Sequence, residues 1–214
     1  MQKPYFALTE PFENTIVINK SRFITTLLPI KDYDDAIDKV KSVSKKFSDA
    51  THNCYAFISN HTATEQRFSD DGEPQGTAGV PMLEVLKKRG VYMTLAVVTR
   101  YFGGIKLGAN GLVGAYSSSV SEALDKAKTV NMIWADVMQI TVSYAIYKKV
   151  EEACVSKGGQ VESVEYGNDV TLTVAIPEQI SKDVVAKIVD ITQDKAKIEI
   201  LKSDYVAFDT TLNK

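Results

Sequence analysis

"TRYFGGIKLGANGLVGAYSSS", residues 99–119, holds five of the chain's twelve glycines: Gly103, Gly104, Gly108, Gly111 and Gly114. The valine-rich run "VYMTLAVVTRYF" leads in and reads as a buried strand. "GLVGAYSSSVSEALDKA" leads out and reads as a helix whose small residues permit close packing. Glycine lets a backbone turn sharply and come close to a ligand. A helix N-terminus aims free N–H groups and the positive end of its dipole at whatever sits there. Arg100 and Lys106 add charge, and Asn110 adds a polar group at the helix start. Binding of phosphate, from RNA, a nucleotide or a sugar phosphate, is therefore one expectation. The competing one is that the glycines serve only turns and tight helix–sheet packing. The motif is not a P-loop, because Lys106 precedes Gly108 and no Gly-Lys-Ser/Thr follows; nor does its G-x-x-G-x-x-G spacing match the dinucleotide fingerprint.

Outward from this stretch the pattern stays mixed. "NTIVINKSRFITTLLPI" reads as two strands about Asn19-Lys20, a hairpin. "YDDAIDKVKSVSKKF" places Tyr33, Ala36, Ile37, Val40, Val43 and Phe47 at helical spacing. "NCYAFIS" reads as a short strand and "EQRFSDDGEPQGTAGVP" as an acidic loop, with Thr77 positioned to cap a helix starting near Gly79. "MLEVLKKRG" reads as a helix closed by Gly90. From about Gln139 the order becomes β-α-β-β-α-β, the split βαβ arrangement of ferredoxin-like domains. The fold class is α+β, with one domain over 1–130, a second over 136–214, and a junction between Thr129 and Ala135.

Composition narrows the function. Of 214 residues, 44% are hydrophobic and 24% charged, which is ordinary for a globular chain. The net charge of -2 gives no global basic field for nucleic acid, so any such binding needs a local patch. Residues 1–127 carry 15 basic and 14 acidic side chains, whereas 128–214 carry 10 and 13. Lys87, Lys88, Arg89, Arg100 and Lys106 stand against Glu84 in the window 84–110, a basic patch expected to surround the glycine loop. The two cysteines, Cys54 and Cys154, are far apart and make no disulfide framework, so a reducing compartment is expected. The N-terminus does not read as a signal peptide, and no segment has the apolar length of a membrane span. A cytoplasmic location, no membrane contact and no cofactor are expected.

A second group of chemistry-bearing residues lies in "THNCYAF". His52 and Cys54 are two apart and share one face of a strand. With Asp70, Asp71 and Glu73 of the acidic loop they are a candidate nucleophilic or metal cluster. No CxxC or HxxxH accompanies them, and a small buried thiol is common, so a structural role is expected. Tyr101 and Phe102 precede Gly103. Alternation points one ring inward and one outward, and an outward ring beside Arg100 suits base stacking, but the favoured expectation is that both rings are core.

Three blocks now carry a resemblance. "ATHNCYAF", "FSDDGEPQGTAGVPMLEVL" and "VVTRYFGGIKLGANGLVGAYSSSVSEAL" follow in order, and together they resemble the signature of the IMPACT/YigZ family. The resemblance covers Ser21 to about Ala127 with specific motifs and extends more loosely to the C-terminal domain. It implies an N-terminal domain of the ribosomal protein S5 domain 2-like fold and a ferredoxin-like C-terminal domain. That pair is similar to the fourth and fifth domains of elongation factor G. Eukaryotic relatives regulate translation through a starvation-sensing kinase and carry an RWD domain before the signature. The stretch before Ser21 is too short for one, so the kinase role is not carried over. The implied function is non-enzymatic and translation-linked, with RNA or the ribosome as partner at Arg100, Tyr101, Gly103, Gly104, Lys106, Gly108, Asn110, Gly111, Lys87, Lys88 and Arg89. One alternative is a phosphate-binding enzyme, since Gly111-Leu112 and Ser117-Ser118-Ser119 loosely resemble the GHMP-kinase loop at a different spacing. Another is a protein-interaction module using the acidic and glycine loops together.

Overall fold

Asn19 and Lys20 have φ of 45° and 63°, the left-handed pair of a two-residue type I′ hairpin turn. They join β2 (Phe12–Ile18) to β3 (Ser21–Pro29), with Ile18 opposite Ser21. The computed structural model describes residues 2–208, so 209–214 of the expected second domain lie outside the described residues. Residues 5–131 form one compact unit; residues 132–208 with 2–4 form another. The architecture is mixed α+β.

The first unit holds β1 (Tyr5–Leu8), β2, β3, α1 (Tyr33–Lys46), β4 (His52–Ile58), β5 (Gln66–Ser69), α2 (Gly79–Lys88), β6 (Thr94–Tyr101) and α3 (Gly108–Lys126). Its sheet runs β2-β3-β6-β4-β5, each neighbour antiparallel. On one face Phe23, Leu27, Cys54, Ile58 and Val98 pack under α2 and α3. On the other, Phe57, Leu95 and Val97 pack under α1 through Ala36 and Val43. β6 is covered on both faces, which is why it reads as an unbroken apolar run. Each large side chain fully buried here contributes about 1.5–3 kcal/mol. Arg89, just past α2, pairs with Asp125 in the last turn of α3, while Asp70, which holds the start of α2, lies against Cys54 and through it against Tyr116, nearer the start of α3. The two helices therefore run side by side in the same direction.

The second unit continues β7 (Thr129–Val142), α4 (Tyr147–Val155), β8 (Gln160–Tyr166), β9 (Val170–Pro177), α5 (Glu178–Thr192) and β10 (Lys197–Phe208). β10 pairs with β7, β7 with β9 and β9 with β8. Met138, Ile140, Leu172 and Val174 meet Val150, Val184 and Ile188 of α4 and α5 on one face.

The structure corrects several sequence expectations. The two units divide between Asn131 and Met132, inside the stretch expected as a junction, but that stretch is strand rather than linker. β5 lies inside the stretch expected as loop, and β1 had no sequence signal. α3 starts at Gly108, a turn earlier than expected. Thr77 does not cap α2: its hydroxyl donates to Pro74 C=O at 2.6 Å. Asp70 Oδ1 does that work from outside the helix, accepting the N–H groups of Ala78 and Gly79 at 3.0 and 2.8 Å. Among the described residues no helix is long and apolar enough to cross a membrane.

Candidate functional site

Gly103 settles how the glycine loop is built. A Cβ placed there would lie 2.0 Å from the Lys20 carbonyl carbon and 2.5 Å from Ser21 N. The β2–β3 turn rests directly on this glycine, and its N–H donates to Ser21 Oγ at 3.1 Å. Gly103 is thus a packing glycine, and its expected role in admitting phosphate is corrected: the approach is filled by protein backbone. Gly104 and Gly108 differ, with φ of 86° and 71° and nothing within 4 Å of an added Cβ. They face open space, and their left-handed conformation is what demands glycine. Gly108, Asn110 and Gly111 form the first turn of α3, where no side chain caps the helix and no acidic residue sits. Orphan N–H groups and the positive dipole end are left there. Lys106, two residues before Gly108, and Lys20, whose backbone lies against Gly103, are both exposed.

Arg100 does not face solvent. It sits on β6 opposite both Phe23 and His52, on the face covered by α2 and α3. It is 5% exposed, and its Nη1–H donates to Glu73 Oε1 at 2.7 Å. Glu73 Oε1 also accepts the Tyr116 hydroxyl at 2.7 Å. The expected phosphate contact by Arg100 is therefore corrected, because its charge is already matched by a buried carboxylate.

The cluster His52, Cys54, Asp70, Asp71 and Glu73 does converge, as scaffold. His52 Nδ1 lies 2.6 Å from Asp71 C=O, and its Nε2 lies 3.9 Å from Glu73 Oε2. Asn53 N–H donates to Asp71 Oδ2 at 2.6 Å. Cys54 Sγ lies 3.0 Å from Asp70 C=O and 3.4 Å from the Tyr116 hydroxyl. Burial pushes the Cys54 thiol up to about 12, so it stays protonated near neutral pH and is no thiolate nucleophile. Burial likewise raises the Tyr116 phenol. The network ties the acidic loop to β4 and, through Tyr116, to the third turn of α3.

Lys87, Lys88 and Arg89 lie elsewhere. Lys87 pairs with Glu84 at 3.0 Å, and Arg89 pairs with Asp125. Asp125 is seventeen residues along α3 from Gly108, about 25 Å at the helical rise. The expectation that these cations surround the glycine loop is corrected for Arg89, which its pairing with Asp125 places at the far end of α3 from that loop, while Lys87 and Lys88 line a groove with Val113 and Ser117. In their place the fold brings Lys20 and Arg22, which the sequence pattern did not single out. The Arg22 guanidinium stacks 4.5 Å from the Tyr101 ring centroid, and the Tyr101 hydroxyl donates to Asp49 at 2.8 Å. Phe102 is the outward ring, 47% exposed, which corrects the expectation that both rings are core.

Residues 19–124 match the Impact N-terminal domain, and residues 140–195 match a domain of unknown function (DUF1949). The chain is 39% identical over 199 residues to IMPACT family member YvyE of Bacillus subtilis (strain 168), covering 93% of this chain and 92% of that one. The chain belongs to the IMPACT family. It is also similar to family member YigZ of Escherichia coli (strain K12), 36% identical over 183 residues, covering 85% and 90% of the two chains. A solved structure titled "Crystal structure of an hypothetical protein" superposes with a TM-score of 0.60 at 32% identity, over 94% of this chain and 99% of that one. The similarity to these relatives runs through both units.

Proposed function

We propose that the chain is a translation-linked regulatory protein that binds RNA, free or on the ribosome, through the glycine loop and the first turn of α3. Family membership supports the translation link, by way of the role its eukaryotic relatives imply. The observation that carries the RNA reading is the uncapped, acid-free first turn of α3, entered through two open left-handed glycines, with Lys106 and Lys20 both exposed. Backbone N–H groups, a positive dipole end and mobile ammonium groups together suit phosphate. The order β7-α4-β8-β9-α5-β10, with β7 between β10 and β9, supports a ferredoxin-like second domain. The first domain is assigned the S5 domain 2-like fold on the family resemblance.

The test is a fluorescence-anisotropy titration of labelled single-stranded RNA at several salt concentrations. Wild-type affinity is expected to fall with salt at a slope of about 0.7 per phosphate engaged. Lys106→Glu is expected to weaken binding on every sequence and to flatten that slope by about one phosphate's share. Unchanged affinity in this variant, or wild-type binding indifferent to salt, would overturn the reading. Gly104→Val is a poor probe, because its φ strains any side chain irrespective of ligand.

A further inference from the structure

A single exposed phenylalanine is ordinary on a protein surface. Phe102 stands apart because of what lies behind it. The Arg100 guanidinium sits 5.5 Å from the Phe102 ring centroid and 5.4 Å from that of Phe23. That guanidinium is held by Glu73 at 2.7 Å and reaches Ser21 Oγ at 3.4 Å, and its Nε is buried with no partner. The backbone is fixed on both sides of the ring. Phe102 N–H donates to Thr51 Oγ1 at 3.0 Å, and Gly103 is wedged against Lys20 and Ser21. The ring therefore has a fixed guanidinium plane behind it, its charge matched by Glu73, and still keeps 47% of its surface exposed. Lys106 lies four residues on, and Lys20 packs on the next residue.

From this we infer that Phe102 is a stacking platform for bases of single-stranded RNA, with Lys20 and Lys106 taking the flanking phosphates. The inference rests on the RNA reading above and deepens it. An aromatic face next to a cationic track is how single strands are held without sequence preference, since every base has a π-face. A ring already fixed in place loses little freedom on binding. Ile105, 43% exposed in the same loop, extends the apolar surface. Stacking and charge make different demands on the data, because removing the ring takes away affinity but no counterion release.

The experiment titrates short fluorescein-labelled oligouridylate and oligoadenylate against wild type, Phe102→Ala and Phe102→Trp across a salt series. Circular dichroism melts show that each variant is folded. Phe102→Ala is expected to bind about 10-fold more weakly at every salt concentration with the slope unchanged. Phe102→Trp is expected to restore affinity, and its indole emission to fall as unlabelled oligonucleotide is added. A Phe102→Ala variant that binds like wild type would overturn the stacking role and leave the phosphate reading standing. So would one that changes the slope and not the affinity at fixed salt. Wild-type protein that binds neither oligonucleotide would overturn both, and would direct attention to a protein docking on Phe102 and Ile105.

Discussion

Glu73→Gln is expected to destabilise the first unit by about 3–5 kcal/mol, read as a lower urea midpoint. The Glu73 and Arg100 side chains are 3% and 6% exposed, and their ion pair spans 2.7 Å. Removing one charge of a buried pair leaves the other desolvated and uncompensated, which costs more than the pair contributes when intact. Glutamine keeps the shape and can still accept from Tyr116, so the loss isolates the charge. Against a typical domain stability of about 5–15 kcal/mol, a large share of the fold is at stake. The double change Glu73→Leu with Arg100→Met removes both charges and is expected to recover most of the loss. Lys41–Asp38, with side chains 71% and 75% exposed, is the control pair. Lys41→Ala is expected to change stability by no more than about 1 kcal/mol. A Glu73→Gln midpoint close to wild type would mean that the acidic loop is not held by this pair.

Much of the fold was legible because it depends on local pattern. Covered on both faces, β6 left an unbroken apolar run, and the Asn19-Lys20 turn marked its hairpin. Helix α1 showed its period. β1 and β5 were not legible. Each is four residues long, and β5 is almost wholly exposed, so no alternation marks it. It is strand because Tyr55 to Ile58 of β4 offer a paired edge, a fact about the neighbouring strand. The early start of α3 was hidden by Gly108 and Asn110, poor helix formers that suit a loop equally well.

The site was legible in its residue types but not in its partnerships. His52 and Cys54 do share a face, as strand period two requires. Nothing in that period reveals that Glu73 and Arg100, 27 residues apart, meet in the core. Arg100 looked like a surface cation because arginine is rarely buried; only a partner makes burial tolerable, and the partner came from a loop. Arg89 is near Arg100 in sequence, but α2 carries it to Asp125 at the far end of α3. Lys20 had the opposite fate, distant in sequence and brought onto Gly103 by the hairpin.

That contact sets the second large effect. Gly103→Ala is expected to cost about 3 kcal/mol or more in chemical denaturation, the upper end of overpacking penalties. Its Cβ would fall 2.0 Å from a carbonyl carbon and 2.1 Å from a carbonyl oxygen of Lys20, both backbone atoms that no side-chain rotation can clear. Relief needs the whole β2–β3 turn to lift, which breaks the Gly103 N–H bond to Ser21 Oγ and loosens the Arg100 contact with the same hydroxyl. Gly103 φ is outside the left-handed range, so the penalty is steric and not conformational. Gly114 supplies the contrast: nothing lies within 4 Å of an added Cβ, and it sits inside α3. Gly114→Ala is expected to stabilise by about 0.5–1 kcal/mol, through the smaller entropy that alanine loses on entering a helix. The two alanines thus carry opposite signs, although the sequence places both glycines in one continuous motif. Lifting the turn also moves Lys20 away from the glycine loop at Gly103. Gly103→Ala should therefore weaken RNA binding in protein that remains folded, and Gly114→Ala should not. If both variants unfold at the wild-type midpoint, the hairpin does not rest on Gly103, and the cationic side of the proposed site is not built by that contact.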